Sequence, residues 1–300
     1  DDDDDDEEDS YLDEDEEQDT LQVEVVFDPP RSGDFQGVKL LLRGYLGDRQ
    51  WDLSGFVDLI LQQTKVGSVV KFERPGGEDD DDAHAEGVAD DDDDVYAVIS
   101  ALNLGRYAGH QCIKELKKYL IEVCHNDTVK RKLQSMLEGE LAHRTGLLVC
   151  ERFANFPYKP VPPLYDALFK DISESTQKES TQEIRDSFRF KFYLLVTRVF
   201  MKKDASIGNR QSKFSSRKKN RNSNSHKGSC ENDEPVIYPK AEDEIFHKLC
   251  SLSFTFNFPR KEQLVPPELK NYQLMGLVML VESSNVPAFQ NEVESFLTET

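Results

Sequence analysis

The sequence predicts a single mixed α/β domain interrupted by charged insertions, and three observations support this fold class. About seven segments with strand-like hydrophobic patterns are interleaved with about seven helix-like ones, without an evident repeat period. The 300 residues are enough for one large domain with a substantial core. The formal net charge of −21 is concentrated in segments that contain few apolar residues, and one of these segments interrupts the alternation.

The predicted strands are short apolar runs or alternating stretches. Residues 251–258 (SLSFTFNF) alternate polar and apolar side chains, which predicts a strand with one buried face. Residues 272–283 are apolar on both faces, which predicts a strand inside the sheet. The other predicted strands are residues 21–27, 68–73, 95–102, 145–153 and 188–200.

The predicted helices combine apolar stripes at helical spacing with suitable first residues. Asp52 and Asn126 are good N-caps for the helices that follow them. Residues 110–124 form a strongly amphipathic helix. Pro162 and Pro163 predict the start of a short helix, LYDALFKDI, because proline is tolerated in a first helical turn. The remaining predicted helices begin near Asp34, Ala241 and Pro287.

Two acidic segments carry the negative charge of the chain. Residues 1–19 contain fifteen Asp or Glu and no Lys or Arg, and residues 78–94 contain eleven acids and no base. Outside these two segments, which hold 26 acids, the chain contains 32 acidic and 37 basic residues. Blocks of like charge repel themselves and resist packing. We therefore expect a disordered acidic tail at 1–19, followed by a domain that spans residues 20–300. The domain contains a disordered acidic loop at 78–94.

A third predicted insertion, residues 201–234, has the opposite sign and is rich in Ser and Asn. Residues 201–228 contain nine Lys or Arg and one Asp. RKKNR (217–221) is typical of nuclear import signals, and phosphate contacts with nucleic acid are an alternative role. Because Phe214 is the one aromatic residue of 201–228, a base-stacking surface is not indicated, and we do not expect direct nucleic acid binding.

The cysteines, histidines and apolar runs predict neither a metal site nor a membrane span. No HExxH motif and no CxxC motif occurs among the six His and five Cys. The scattered cysteines are expected to be reduced thiols of an intracellular protein. The longest uncharged apolar run, LMGLVMLV, is shorter than the roughly 20 residues that a spanning helix needs. The five cysteines are Cys112, Cys124, Cys150, Cys230 and Cys250.

One strand–turn–helix stretch is similar to the phosphate loop of GNAT acetyltransferases. In residues 95–120, Arg106, Gly109 and Gln111 occupy the positions of the motif [Q/R]-x-x-G-x-[G/A]. Small residues in such a loop let backbone N–H groups approach a pyrophosphate at a helix N-terminus. Gln111 is too large for the last position, so we interpret the loop as degenerate and expect no cofactor. A GNAT-type acyl-CoA-dependent N-acyltransferase is the alternative function. Glu151 and Arg152, at the end of a strand, are expected to form a surface ion pair.

The acidic segments resemble a nucleic acid strand in charge density. An extended chain advances about 3.3–3.6 Å per residue, and a single nucleic acid strand carries one charge per about 3.4 Å. A run of Asp can therefore substitute for nucleic acid toward a basic protein, although such runs also serve solubility alone. The residues predicted to bind a basic client are Asp79, Asp80, Asp81, Asp82, Asp90, Asp91, Asp92, Asp93 and Asp94.

Several stretches, led by GLLVCERFANFPYKPVPPLYDAL (146–168), resemble the BCCIP family of eukaryotic nuclear proteins. The similarity extends to LILQQTKVGSVVK (59–71), FKFYLLVTR (190–198) and DEIFHKLCSLSFTF (243–256). It covers the chain from about residue 20 to its end. The resemblance implies a GNAT-like fold without acetyltransferase activity and residence in the nucleus, with shuttling to the cytoplasm.

The same resemblance implies protein partners in place of substrates. Members resemble chaperones of a basic ribosomal protein of the large subunit, with a role in ribosome biogenesis. Animal members are linked to DNA-repair and cell-cycle partners. The resemblance assigns no binding residue to this chain, and we expect no membrane partner.

Overall fold

A seven-stranded mixed sheet organises the computed structural model, which describes residues 24–73, 94–203, 236–258 and 267–298. The strand order is β1-β2-β3-β4-β5-β7-β6. All seven predicted strands are present, which confirms the mixed α/β class. Their bounds are β1 Glu24–Asp28, β2 Ser68–Glu73, β3 Ala97–Asn103, β4 Thr145–Arg152, β5 Phe192–Lys202, β6 Leu252–Asn257 and β7 Tyr272–Glu282.

Helices connect the strands, and two of them were not predicted. The short helices α5 and α7 lack a long apolar stripe, so their sequences gave no periodic signal. Helix α6 has eighteen residues, twice the predicted length, because its buried stripe continues through Ile172 to Ser175. The helices are α1 Phe35–Leu42, α2 Leu53–Leu61, α3 Gln111–Val123, α4 Asp127–Leu137, α5 Gly139–Ala142, α6 Val161–Lys178, α7 Gln182–Ser187, α8 Ala241–Leu249 and α9 Val286–Thr298.

The sheet separates two hydrophobic cores. Alternate residues of β4 point to opposite faces, so Leu147 and Val149 join one core while Leu148 and Cys150 join the other. Helices α1 to α4 cover the first core, and α6, α8 and α9 cover the second. The result is a three-layer α/β/α arrangement with the sheet as the middle layer.

The sheet opens between β4 and β5, its one parallel pair. These strands pair over Thr145–Leu148 and Phe192–Leu195. Beyond that point β4 continues along β3 to Arg152, and β5 continues along β7 to Lys202. The two halves of the sheet therefore separate toward the carboxyl ends of β4 and β5. Because β5 reaches Lys202, the first two residues of the predicted insertion 201–234 belong to the sheet, which corrects that boundary.

The two ends of the sheet differ in what is attached to them. At the end where β1 begins and β2 and β5 end, which we call the tract end, Glu24 is the partner of Glu73 and Lys202 is the partner of Tyr272. Four segments join the described structure there, namely residues 1–23, 74–93, 204–235 and 259–266. These segments contain the predicted tail 1–19, all of the predicted loop 78–94 except Asp94, and most of the predicted insertion, which thus lie outside the described residues.

We call the opposite end the turn end, and there the helical connections between β1 and β2 and between β3 and β4 join the strands. Asn103 and Gly146 are partners where β3 ends and β4 begins. Gly67, which precedes β2, has a φ of +110°, and a Cβ there would lie 2.4 Å from the carbonyl oxygen of Ile99. Glycine is therefore required at this turn by conformation and by space.

Candidate functional site

The register of β1 and β2 brings the attachment points of the two acidic segments together. Glu24 follows the segment that contains residues 1–19, and its strand partner Glu73 precedes the segment that contains residues 78–94. Opposite residues of an antiparallel pair have Cα atoms about 5 Å apart. Of the predicted client-binding residues, Asp94 is described and is exposed just before β3. The other eight, Asp79 to Asp82 and Asp90 to Asp93, lie outside the described residues.

Four aromatic rings form a surface patch at the tract end, which we call the aromatic patch: Phe72, Tyr96, Phe153 and Phe156. Phe72 lies 4.4 Å from Tyr96 and 6.1 Å from Phe156 between ring centroids, and Tyr96 lies 6.1 Å from Phe153. Phe153 is 44% exposed and the others are half-buried. No sequence pattern indicated this patch, although Phe72 and Tyr96 lie near the two ends of the acidic loop.

A buried ion pair lies where the sheet opens. Arg152, at the end of β4, forms two hydrogen bonds with Glu242 at the start of α8, one of them at 2.9 Å from Nη2 to Oε2. The Arg152 side chain is 9% exposed and the Glu242 side chain is fully buried. Glu151 is also buried and contacts Arg198, with Nη2 and Oε2 3.4 Å apart. The expected surface ion pair between Glu151 and Arg152 is therefore wrong, because adjacent strand residues point to opposite faces.

Lys240 links the two sides of the opening. Its Nζ donates to the carbonyl oxygen of Cys150 at 2.7 Å. The same atom lies 3.5 Å from a carboxylate oxygen of Glu151 and 3.7 Å from one of Asp243. Asp243 in turn accepts a hydrogen bond of 2.5 Å from the hydroxyl of Thr197 on β5. We call these groups, together with Arg152, Arg198 and Glu242, the charge cluster, and it fills the space between β4 and β5.

Burial shifts the protonation of this cluster. Desolvation raises the pKa of Asp243 to about 6, and Lys240 and Thr197 oppose that shift in part. Desolvation alone would lower the pKa of Lys240, but Asp243 and Glu151 outweigh it and raise that pKa. Burial also raises the pKa of Tyr45, and the neighbouring Glu151 adds to the rise. The cluster therefore keeps Lys240 as a cation and brings the pKa of the Asp243 carboxyl close to neutral pH.

The helix that follows β4 presents no phosphate-binding amides in its first turn. Open α/β sheets bind ligands at the carboxyl ends of adjacent parallel strands, often on the N–H groups of the next helix. Pro162 and Pro163 have no N–H. The amide of Val161 donates to Tyr158 at 2.8 Å, and that of Leu164 donates to Pro160 at 3.1 Å. Every amide from residue 161 to residue 164 is therefore missing or already bonded within the protein.

The loop that contains Arg106, Gly109 and Gln111 lies at the turn end, far along the strands from the acidic segments. The Oδ1 atom of Asn103 accepts hydrogen bonds from the amides of Gly105 and Arg106, both at 2.9 Å. Its Nδ2 atom donates to the carbonyl oxygens of His143 at 2.9 Å and Ser187 at 2.6 Å. Two amides that a phosphate would use in this loop are thus already bonded to Asn103.

The Gln111 side chain is hydrogen-bonded to an acidic side chain, that of Glu115, beside the same loop. Gln111 donates to Oε1 of Glu115 at 2.8 Å, and the amide of Asp52 donates to Oε2 at 2.7 Å. These bonds, that from Gln111 first, lower the pKa of Glu115, so its carboxylate is ionised and repels anions. The interpretation of Gln111 as incompatible with a phosphate loop agrees with this geometry. Arg106 and Gly109 are exposed.

Two further groups of predictions concern cysteines and metal ligands. Cys112, Cys124 and Cys150 are buried and Cys250 is half-buried, and all four are free thiols. Cys230 lies outside the described residues. Among the described ranges, no group of three or more His, Cys, Asp or Glu is arranged to hold a metal ion. Within those same ranges, none of the helices has the length and apolar composition required for a membrane span.

Comparison with known proteins identifies related chains. A family model described as BCCIP matches residues 20–246. The Arabidopsis thaliana protein named "Protein BCCIP homolog" is 41% identical over 287 residues, which are 95% of this chain and 77% of that protein. The Bos taurus "BRCA2 and CDKN1A-interacting protein" is 26% identical over 226 residues, 75% of this chain and 65% of its own. These names describe no enzymatic activity.

A solved structure shows the same fold. The crystal structure of BCP1 from Saccharomyces cerevisiae has a TM-score of 0.56 and 17% sequence identity, and the match covers 96% of this chain and 93% of that one. The family model matches most of the chain. The plant relative and the solved structure match it across both halves of the sheet. The chain belongs to the BCCIP family.

Proposed function

We propose that this protein is a non-enzymatic nuclear chaperone or adaptor that binds a basic client, such as a basic ribosomal protein of the large subunit. The observation that carries the proposal is the register of Glu24 with Glu73, which anchors both acidic segments at one corner of the sheet. The 26 acids of residues 1–19 and 78–94 are thereby tethered to one place on the body. A strongly basic protein binds such a concentration of charge and releases its counterions.

The opening between β4 and β5 favours a binding scaffold over an enzyme. We propose that the sheet is a GNAT-like scaffold whose ligand crevice is closed. Lys240 and the Arg152–Glu242 pair fill the opening, and prolines occupy the start of α6. A cleft of about 390 Å³ lies beside β5, away from β4, and its lining includes Arg43, Arg198 and Phe258. These features argue against the alternative function, a GNAT-type acyl-CoA-dependent N-acyltransferase.

The names of relatives support protein partners for this chain as well. Mammalian relatives from Bos taurus and Mus musculus are named "BRCA2 and CDKN1A-interacting protein". We therefore propose nuclear protein partners, including DNA-repair and cell-cycle proteins, beside the ribosomal client. Residence in the nucleus with shuttling to the cytoplasm, and a role in ribosome biogenesis, are parts of the same proposal.

The salt dependence of client binding tests this function. Individually purified basic proteins of the large ribosomal subunit are titrated by calorimetry into the intact chain between about 50 and 200 mM salt. The comparison variant replaces the nine aspartates Asp79 to Asp82 and Asp90 to Asp94 with asparagine, so that loop length is kept. We expect at least one client to bind the intact chain with a steep salt slope. The variant should bind about tenfold or more weakly at the lowest salt, with a flatter slope.

Two results would contradict the proposal. Equal affinities and equal slopes for the intact chain and the asparagine variant would show that these aspartates do not bind the client. A clear rise in melting temperature with acetyl-CoA would instead favour the acyltransferase, because a ligand that binds the folded state alone stabilises it.

A further inference from the structure

The aromatic patch is an exposed apolar surface at the end of a rigid sheet. Phe153 is one of two large hydrophobic residues that are strongly exposed among the described residues, and the other, Leu40, lies on α1. Exposed aromatic groups that lie together on a surface are typical of binding sites, since aromatic residues are enriched at protein interfaces. The patch is therefore a candidate interaction surface.

Backbone hydrogen bonds fix the main chain that carries the rings of the patch. The amide of Phe153 donates to the carbonyl oxygen of Tyr96 at 3.1 Å, which extends the β3–β4 pairing past the end of β4. The amide of Phe156 donates to the carbonyl oxygen of Phe153, also at 3.1 Å. Phe156 packs against the core beneath α6. The rings are thus ordered before any partner binds, which reduces the entropy lost on binding.

The charge around the patch selects a cationic partner. Phe72 and Tyr96 lie at the two positions where the acidic loop leaves and re-enters the sheet, and the exposed Asp94 is two residues before Tyr96. Glu24, which follows the acidic tail, is exposed on the neighbouring strand. A partner at these rings is therefore close to Asp94 and to the two positions where the acidic loop joins the described structure.

We infer that the aromatic patch binds arginine side chains of a basic protein segment. This inference rests on the proposed function and adds the chemistry of the partner. A guanidinium group is planar, weakly hydrated and always charged, so it stacks on aromatic faces while it stays close to carboxylates. A lysine ammonium is compact and strongly hydrated and gains less from the rings. The patch thus distinguishes arginine-rich segments from lysine-rich ones, whereas the acidic segments attract both.

Fluorescence anisotropy with two labelled peptides tests this inference on the full chain. One peptide alternates Arg with Gly, and the other, of equal length and charge, alternates Lys with Gly. We expect the intact chain to bind the Arg peptide more tightly. Phe153→Ala should weaken binding of the Arg peptide by about 3- to 10-fold and binding of the Lys peptide by less. Phe153→Leu, which keeps apolar area but removes the ring, should resemble Phe153→Ala.

The exposed Leu40 provides the matched control, because Leu40→Ala removes a similar exposed side chain from another surface and should change neither affinity. Melting curves of each variant check that it is folded. Hydrogen exchange of the intact chain gives a second readout, in which the Arg peptide should slow exchange of the amides of residues 153–156. If Phe153→Ala and Leu40→Ala both bind as the intact chain does, or if the two peptides lose affinity equally, the inference is overturned.

The failure of the inference can be separated from failure of the proposed function. Loss of binding in the asparagine variant of the acidic loop, without any effect of Phe153→Ala, overturns the role of the patch and leaves the charge-based function in place. Full binding by an asparagine variant that also neutralises the acids of residues 1–19, with a persistent Phe153-dependent preference for Arg, overturns the charge-based function and supports the patch. No binding of either peptide to the intact chain overturns both.

Discussion

The tract end and the turn end of the sheet are bounded by the same strands, yet their polar groups have different partners. At the turn end, Asn103 bonds to four backbone groups within a few residues of the strand ends. At the tract end, strands diverge, and Lys240 and Glu242 come from a distant part of the chain to meet β4. One end is closed by hydrogen bonds of a neutral side chain to the backbone, and the other is closed by ion pairs between side chains and carries exposed rings.

This difference indicates where the protein can change without loss of its fold. At the turn end, an insertion directly after β3 would separate Asn103 from the amides of Gly105 and Arg106 that it binds. The tract end accepts long segments because its closure depends on side chains of β4 and α8, which do not belong to those segments. In the proposed function, binding segments are attached at the tract end while the turn end maintains the architecture.

The largest expected effect comes from breaking the buried pair at the tract end. Glu242→Gln keeps the shape of the side chain but leaves the buried cation of Arg152 without a counter-charge. We expect the free energy of unfolding, measured by urea titration, to fall by about 3–5 kcal/mol. Glu244→Gln in the same helix is the control, because Glu244 pairs with Lys248 on the exposed surface and should contribute less than about 1 kcal/mol. Similar losses in both variants would mean that the tract end does not depend on its buried pair.

A somewhat smaller effect is expected from the pH dependence of the charge cluster. The pKa of Asp243 is about 6 in the folded state, against an ordinary value of 3.8. The folded state therefore binds the proton more tightly, and Asp243 makes the free energy of unfolding fall as pH rises from 4 to 6. Relative to Asp243→Asn, the intact chain should lose about 3 kcal/mol of stability between about pH 4 and pH 7.

The measurement is a set of urea titrations of both proteins at several pH values. The contributions of acids outside the cluster then cancel in the difference between the two free energies of unfolding. A difference that increases in favour of the intact chain as pH rises would contradict the prediction. It would show that the attraction of Lys240 for the Asp243 carboxylate exceeds the desolvation of that carboxylate.

The smallest of the three effects is expected at the turn end. Asn103→Ala removes a buried side chain and leaves four backbone groups without their present partner. Some of these groups lie near the surface and can bond to water instead, so we expect a loss of about 2 kcal/mol in thermal or urea unfolding. Asn155→Ala, at an exposed position beside the aromatic patch, should have almost no effect. A loss at Asn103 as large as that at Glu242 would remove the distinction between the two ends.

The fold was largely predictable because its strands carry local patterns. The alternation of 251–258 and the continuous apolar run of 272–283 each predicted a strand, and β6 and β7 are found there. Helix α6 was underestimated because polar residues such as Ser175 lie in its buried stripe. In such cases tertiary packing determines burial, and the composition of the segment does not report it.

The site was less predictable because it depends on pairings between distant residues. Nothing near Arg152 in sequence indicates Glu242, and a charged residue at a strand end usually faces water. The phosphate-loop similarity pointed to Arg106, whereas the opening of the parallel pair, where α/β sheets commonly bind ligands, lies at the other end. The aromatic patch could have been found, since Phe72 and Tyr96 lie near the two ends of the acidic loop, but Phe153 joins them through the β3–β4 register.

If the proposed function is correct, the pairing of Glu24 with Glu73 makes the two acidic segments a bivalent ligand with a common origin. Once a client contacts one segment, the second is confined to the same small volume, so its effective concentration is high and its binding is intramolecular. Avidity then falls gradually when either segment is shortened, since the other still holds the client at the same corner. The length of one segment can therefore compensate for the length of the other without any relocation of the bound protein.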